Sequence, residues 1–203
     1  MATPRILTLI GGISQNSLNK KLFEAFKERI GSEAEFIVFD ISKLPFFSQD
    51  LENDPPDYVT FFKDEIREAD AILFVTPEYN HSIPGVLKNA IDWGSRPYGQ
   101  SLWEKLPAGL IGASIGDKGS YGAQLHLRQI LNYLDMFVMN QPEFYLNGSK
   151  AFDEAGQLNE TSLNFIDKFW KAFKGWIEDN QEGQKPLPKE SDSQGFHQSP
   201  GIH

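Results

Sequence analysis

The sequence predicts an α/β fold: one five-stranded parallel sheet, strand order 2-1-3-4-5, with helices on both faces. Three observations carry this. Short apolar runs alternate with stretches of helical spacing over the first 180 or so of 203 residues. The runs are continuously apolar and rich in β-branched residues, as strands covered on both sides must be. Length and composition, 203 residues with 40% hydrophobic and 23% charged, suit one domain with a sizeable core. Strict strand–helix alternation requires crossovers that place helices on both sides of the sheet. Five strands and five helices then fit a flavodoxin-like three-layer sandwich.

The elements follow in order. Ile6-Leu7-Thr8-Leu9-Ile10 is the first strand, and Leu22, Phe23, Phe26 and Ile30 mark the first helix. Phe36 to Phe39 is the second strand, with Tyr58, Phe61, Phe62 and Ile66 on one face of the next helix. Ala71 to Val75 is the third strand. Val86, Leu87, Ala90 and Ile91 suit a short helix after Pro84. Ala108 to Ile111 is the fourth strand, and Leu127, Ile130, Leu131 and Leu134 mark its helix. Phe137 to Met139 is the fifth strand. Leu163, Ile166, Phe169, Trp170, Phe173 and Ile177 stripe a last helix, with Asn159 or Thr161 as its N-cap. Residues 181–203, rich in Gln, Gly, Pro, Ser and Lys, cannot bury much surface and read as a mobile tail after a domain spanning 1–180.

Composition excludes several functions. With no cysteine there is no disulfide, iron–sulfur cluster or thiolate nucleophile. No His/Asp/Glu group has metal-ligand spacing. The net charge of −9 repels phosphate backbones, so nucleic acid is not expected as a partner. The apolar run from Ile6 is too short for a signal-peptide core or a membrane span, and a cytoplasmic protein is expected.

With order 2-1-3-4-5 the sheet reverses between strands one and three, and ligands bind beyond the strand ends there. The loop after strand one reads Gly11-Gly12-Ile13-Ser14-Gln15-Asn16-Ser17-Leu18-Asn19. Paired glycines let backbone approach a ligand, Ser14, Ser17 and Asn19 offer donors, and free amides at a helix start attract an anion. The alternative is a plain turn with Ser17 or Asn19 as N-cap. The loop lacks the Gly-Lys of nucleoside-triphosphate loops and the spacing of dinucleotide loops. After strand three comes Thr76-Pro77-Glu78-Tyr79-Asn80-His81-Ser82-Ile83-Pro84-Gly85. Two prolines and a glycine stiffen it, Pro77 offers no N–H, and the amides after it can meet the edge of a flat ring. A flavin needs such donors and little ionisable chemistry from the protein. The alternative is a rigid surface turn with Glu78 and His81 solvated.

These residues carry a resemblance. Thr76 to Asn80, Pro84-Gly85 and Leu87-Lys-Asn-Ala-Ile-Asp-Trp93 resemble the second flavin loop of NAD(P)H-dependent FMN reductases, in particular the quinone, chromate and azo-dye reductase branch. His126 to Leu131 and Val138 to Phe144 are also similar, and the likeness spans about residues 5 to 178. The family's first loop is usually Gly-Ser-x-Arg-x-x-Ser-x-Asn. Here Gly12 stands for the serine and Ser14 for the arginine, so a charge-assisted phosphate contact is missing. Ser14, Gln15 and backbone amides are left to replace it.

The resemblance implies non-covalently bound FMN with NADPH or NADH as co-substrate. It implies ping-pong hydride transfer to small acceptors such as quinones, flavins, azo dyes or chromate. The phosphate is expected at Gly12, Ser14, Gln15, Ser17, Leu18 and Asn19, and the ring against Pro77, Glu78, Tyr79, Asn80, Ser114 and Gly116. No catalytic side chain is assigned. A homodimer or homotetramer is implied, with Arg128 and Glu143 either at an interface or solvated. Trp93, Tyr98 and Trp103 wall the cleft, a dimer face or the core.

Two rivals remain. Gly112-Ala113-Ser114-Ile115-Gly116 matches the G-x-S-x-G elbow of serine hydrolases, but Asp117 to Gly122 precedes the next helix and no later histidine suits the role. A flavodoxin-type electron carrier fits the fold and the acidity, though its phosphate loop is usually threonine-rich.

Overall fold

The computed structural model describes residues 3–153 and 155–180. Its strands are β1 (Arg5–Ile10), β2 (Glu35–Phe39), β3 (Ala71–Val75), β4 (Pro107–Ser114), β5 (Phe137–Val138) and β6 (Phe144–Asn147). Its helices are α1 (Leu18–Ile30), α2 (Asp57–Arg67), α3 (Gly85–Gly94), α4 (Tyr121–Tyr133), a single turn α5 (Gly148–Ala151) and α6 (Glu160–Asn180). The sheet is parallel throughout, in the order β2-β1-β3-β4-β5 with β6 also pairing β4. The expected tail lies outside the described residues.

Side-chain alternation along the strands divides the core in two. Leu7, Leu9, Ile72, Phe74 and Leu110 face the helices α2, α3 and α4, where they meet Phe62, Ile66, Leu87, Trp93, Trp103 and Leu127. Ile6, Ile10, Leu73, Val75 and Ile111 face α1 and α6, where they meet Phe23, Phe26, Ile166, Phe169 and Phe173. All five residues of β3 are fully buried because both faces of this central strand are covered. Burying each such large apolar side chain contributes about 1.5–3 kcal/mol.

Two elements differ from the sequence expectation. The fifth strand position is shared by two short strands. β5 pairs Pro107 and Ala108 at the start of β4, and β6 pairs Ile111 to Ser114 at its end. Between them the chain runs out of the ladder through Gln141-Pro142, where proline supplies no N–H to continue it. The partner strand β6 is also why β4 extends through Gly112-Ala113-Ser114, which the sequence presents as loop. Asn159 is the cap of α6, its Oδ1 accepting from the Ser162 amide at 2.9 Å. Phe61, read as core-facing on α2, is about half exposed and lies against Phe39 and Tyr58.

Candidate functional site

Parallel pairing places the loops after β1, β3 and β4 at one edge of the sheet. Ile10 pairs with Val75, and Val75 with Ile111. The loops are also bonded to their neighbours: the Gly11 amide donates to Val75 O at 2.8 Å, and the Thr76 amide to Ile111 O at 3.0 Å. Residues 11–19 and 76–81 therefore share the strand ends between β1 and β3, where the sheet order reverses.

In the first loop Ser17 is the N-cap of α1. Its Oγ accepts from the amides of Asn19 (3.2 Å) and Lys20 (3.4 Å), which leaves its hydroxyl hydrogen to donate elsewhere. Gly12 is a steric requirement, because a Cβ there would stand 2.3 Å from Ser17 Oγ. The capping hydroxyl fills the space a side chain at position 12 would need. Ser14, Gln15 and Asn16 are exposed. Among the described residues, the amides of Ile13, Ser14, Gln15, Asn16 and Leu18 find no protein acceptor. Five free donors at the positive end of a helix suit a phosphate.

Asn19 also braces the fold. It is buried, its Nδ2 donates to Ala113 O (2.9 Å), and its Oδ1 accepts from the Ala113 amide (3.0 Å). One N–H and the oxygen of the amide thus engage β4, and the side chain ties the start of α1 to the strand that carries the third loop. Leu18 packs on Gly148, where an added Cβ would come within 2.5 Å of Leu18 Cδ1.

The second loop is a tight hairpin. The Tyr79 amide donates to Ser82 O (2.9 Å) and the Ser82 amide to Tyr79 O (3.0 Å). Asn80 and His81 form its tip, both left-handed with φ of 52° and 58°. Asn tolerates that region well, because its short polar side chain bonds locally. Among the described residues, the amides of Glu78 and Asn80 have no protein acceptor. The Glu78 carboxylate is only partly exposed: Oε2 accepts from the Ala123 amide at 3.1 Å in the first turn of α4, and Oε1 lies 2.9 Å from His81 Nδ1. A carboxylate at a helix start complements its dipole. Glu78 is thus a clamp between the second loop and α4, while Tyr79 stands half exposed at the edge.

The third loop closes on itself. Ser114 Oγ donates to Gly119 O (2.7 Å) and accepts from the Gly116 amide (3.3 Å). Beneath it, a Cβ at Gly112 would come within 2.2 Å of both Thr76 O and Ser120 Oγ, so backbone of two loops converges there.

A family model described as NADPH-dependent FMN reductase matches residues 4–151. The chain is 41% identical over 179 residues to a 2-hydroxy-1,4-benzoquinone reductase of Burkholderia sp., covering 87% of this chain and 98% of that relative. It is 42% identical over 178 residues to a quinone reductase of Pseudomonas putida, covering 87% and 96%. Among solved structures it resembles FerB, a flavoenzyme NAD(P)H:(acceptor) oxidoreductase of Paracoccus denitrificans. The TM-score is 0.82 at 37% identity, covering 87% of this chain and 98% of that one. The chain belongs to the NADPH-dependent FMN reductase family.

Membership makes it an FMN-dependent oxidoreductase with a reduced nicotinamide as co-substrate. The free amides of the first and second loops are a donor set that fits FMN, with a phosphate at one end and a hydrogen-bonding ring edge at the other. In this reductase Gly112 to Gly116 is not a hydrolase elbow. Six residues separate Ser114 from α4, its hydroxyl hydrogen is held by Gly119, and His126 Nδ1 lies 2.7 Å from Ser82 Oγ instead.

The remaining candidates divide. Trp93 and Trp103 are fully buried core, their indole N–H groups donating to Pro45 O (2.7 Å) and Ile91 O (2.8 Å). Tyr98 is 85% exposed. Arg128 donates to Met139 O at 3.0 Å, and burial holds its pKa below the usual arginine value, only partly offset by Glu143. Glu143 accepts from the Tyr145 hydroxyl at 3.1 Å, so the two charges do not form an ion pair within the subunit. The hollow between the far end of α1 and α6, about 440 Å³, is lined by Arg29, Glu33, Asp167, Trp170 and Lys174. It lies roughly 20 Å along α1 from the loops, and its charges neutralise one another in the pairs Arg29–Asp167 and Lys174–Glu33. The sequence reading missed Glu78 as a clamp and Asn19 as a strut. Only long-range contacts reveal either role.

Proposed function

We propose that this reductase passes two electrons from NAD(P)H to quinones and similar small acceptors in the cytoplasm, where reduced nicotinamide is available. The observation that carries the reading is the group of unpaired amides at one edge of the sheet. Those of residues 13–16 and 18 would hold the FMN phosphate with the Ser17 hydroxyl, and those of Glu78 and Asn80 would meet the ring edge. FMN held there would supply two-electron hydride chemistry between the nicotinamide and the acceptor. The chain binds and orients. Pro77 and the Tyr79–Ser82 hairpin keep the second loop rigid, and the half-exposed Tyr79 flanks the space through which nicotinamide and acceptor alternate. The proton that completes a hydroquinone after hydride transfer would come from solvent at the open edge, and no catalytic side chain is assigned.

The quinone reductases among its relatives favour quinone over the other acceptors. We also propose a homodimer or homotetramer. Phe46 and Tyr98, each 85% exposed, are the residue type enriched at interfaces. Light scattering on the purified chain tests this, and a monomer at all concentrations removes it.

The decisive experiment is steady-state turnover of the yellow purified protein with benzoquinone and each nicotinamide. Parallel double-reciprocal lines are expected. A protein that binds FMN but does not oxidise NAD(P)H would be a carrier of flavodoxin type, and a colourless protein that takes up no FMN would end the reading.

A further inference from the structure

We propose that Lys20 supplies the positive charge to the FMN phosphate that the first loop itself lacks. This rests on assigning that loop to the phosphate.

The loop from Gly11 to Asn19 contains no basic residue, and Ser14 stands where the resembling pattern has arginine. The chain carries a net charge of −9, so its long-range field opposes a dianion. Free amides and one hydroxyl give hydrogen bonds but no full charge. Lys20, three residues beyond the cap, reaches back over the loop, and its Nζ donates to Ile13 O at 3.2 Å. An ammonium has three donors, so two remain beside the free amides of Ser14, Gln15 and Asn16. The contact brings the ammonium to the backbone of the loop assigned to the phosphate, within a side chain's swing of an anion bound there.

Its position on the helix gives an independent reason. Lys20 lies in the first turn of α1, which contains no acidic residue. A cation there opposes the helix dipole, whose positive end it adds to. Among the described residues no ion pair offsets this, and the polar contact of Nζ is a neutral carbonyl. A dianion bound between the ammonium and the helix start reverses the sign, because both positive sources then face it. With serine at position 14, Lys20 is the basic side chain whose ammonium contacts the loop backbone.

The test is titration of the full-length chain with FMN and with riboflavin, which has the same ring but no phosphate, followed by quenching of flavin fluorescence. Lys20→Gln is expected to weaken FMN binding about tenfold, the scale of one charge-assisted contact, and to leave riboflavin unchanged. Added salt should weaken FMN binding to the wild type more than to the variant. Ser14→Arg placed on Lys20→Gln should restore FMN affinity. Unchanged FMN affinity in Lys20→Gln overturns the proposal, and so does an equal loss for FMN and riboflavin, which would make Lys20 only a brace on Ile13. Should the wild type itself bind FMN no better than riboflavin, the phosphate loop assignment fails with it. That outcome is distinct from a wild-type preference for FMN that survives Lys20→Gln.

Discussion

The loops after β1 and β3 both leave backbone amides without a protein acceptor, but they are held in opposite ways. The first is soft along its length, with Ser14, Gln15 and Asn16 exposed, and is fixed from below by Gly12, Ser17 and Asn19. The second carries its rigidity within itself, in Pro77, the Tyr79–Ser82 hairpin and the Glu78 clamp on α4. In both loops side chains shape the backbone, and backbone amides are the proposed ligand contacts. Single substitutions beneath the first loop should therefore do more damage than substitutions within the second.

Asn19→Ala gives the largest expected effect. It removes both bonds to Ala113 and leaves a buried N–H and C=O unpaired. At about 1–3 kcal/mol for each of the two orphaned groups, the loss is about 2–6 kcal/mol. Urea denaturation measures it, and FMN binding should fall in parallel because α1 loses its tie to β4. Loss of FMN affinity at unchanged stability would make Asn19 a direct ligand and break the comparison.

Gly112→Ala comes next. Its Cβ would meet Thr76 O, a backbone atom that cannot swing aside, where the second and third loops join. Overpacking of this kind costs about 1–3 kcal/mol. Gly116→Ala is the control: its nearest neighbour would be Ser114 Oγ at 3.6 Å, an ordinary contact, and a change within about 0.5 kcal/mol is expected. Equal effects at the two glycines would mean that the junction beneath the loops is not where rigidity resides.

The contrast between the loops also explains what the sequence could reveal. Strands β1 to β4, helices α1 to α4 and α6, and the position of the two loops at the reversal of the sheet were legible because periodicity and loop chemistry are local. Asn19 was legible as a motif residue but not as a strut, since its partner Ala113 is 94 positions away. Gly12 reads as a departure from the family pattern until Ser17 Oγ is seen to occupy its side-chain space. Glu78 reads as a solvated loop charge until α4 is placed above it. The strand β6 was hidden for a related reason. Four residues with polar neighbours carry little pattern, and they become a strand only because the end of β4 offers them a partner.

Smaller effects sharpen the division. Ser17→Ala removes the cap of α1 and should cost about 0.5–2 kcal/mol, with FMN affinity falling as well if the hydroxyl is, as proposed, one of the phosphate donors. Glu78→Gln keeps an acceptor for Ala123 but removes the charge from the start of α4. About 0.3–1 kcal/mol is expected in thermal melts, and little from His81, which is almost fully exposed. If Glu78→Gln outweighs Ser17→Ala in both stability and FMN affinity, the second loop is the more vulnerable one and the ranking reverses.

The smallest effect is expected at the other end of α1. Arg29 holds Asp167 by two bonds of 2.8 and 2.7 Å and keeps its carboxyl below the usual aspartate range. A lowered folded value means that whatever the pair contributes is present above the unfolded pKa and lost as pH falls through the folded one. Both partners are well exposed, so water and salt screen the attraction and ordering two long side chains opposes it. Asp167→Asn should leave Tm unchanged at neutral pH and flatten only a slight loss on the acid side. It should also leave FMN affinity unchanged, because the hollow it lines is remote from the strand ends and its charges are already balanced. A fall in FMN affinity would show that strain at one end of α1 reaches the free amides at the other. The first loop would then be held along the whole helix as well as at Ser17 and Asn19.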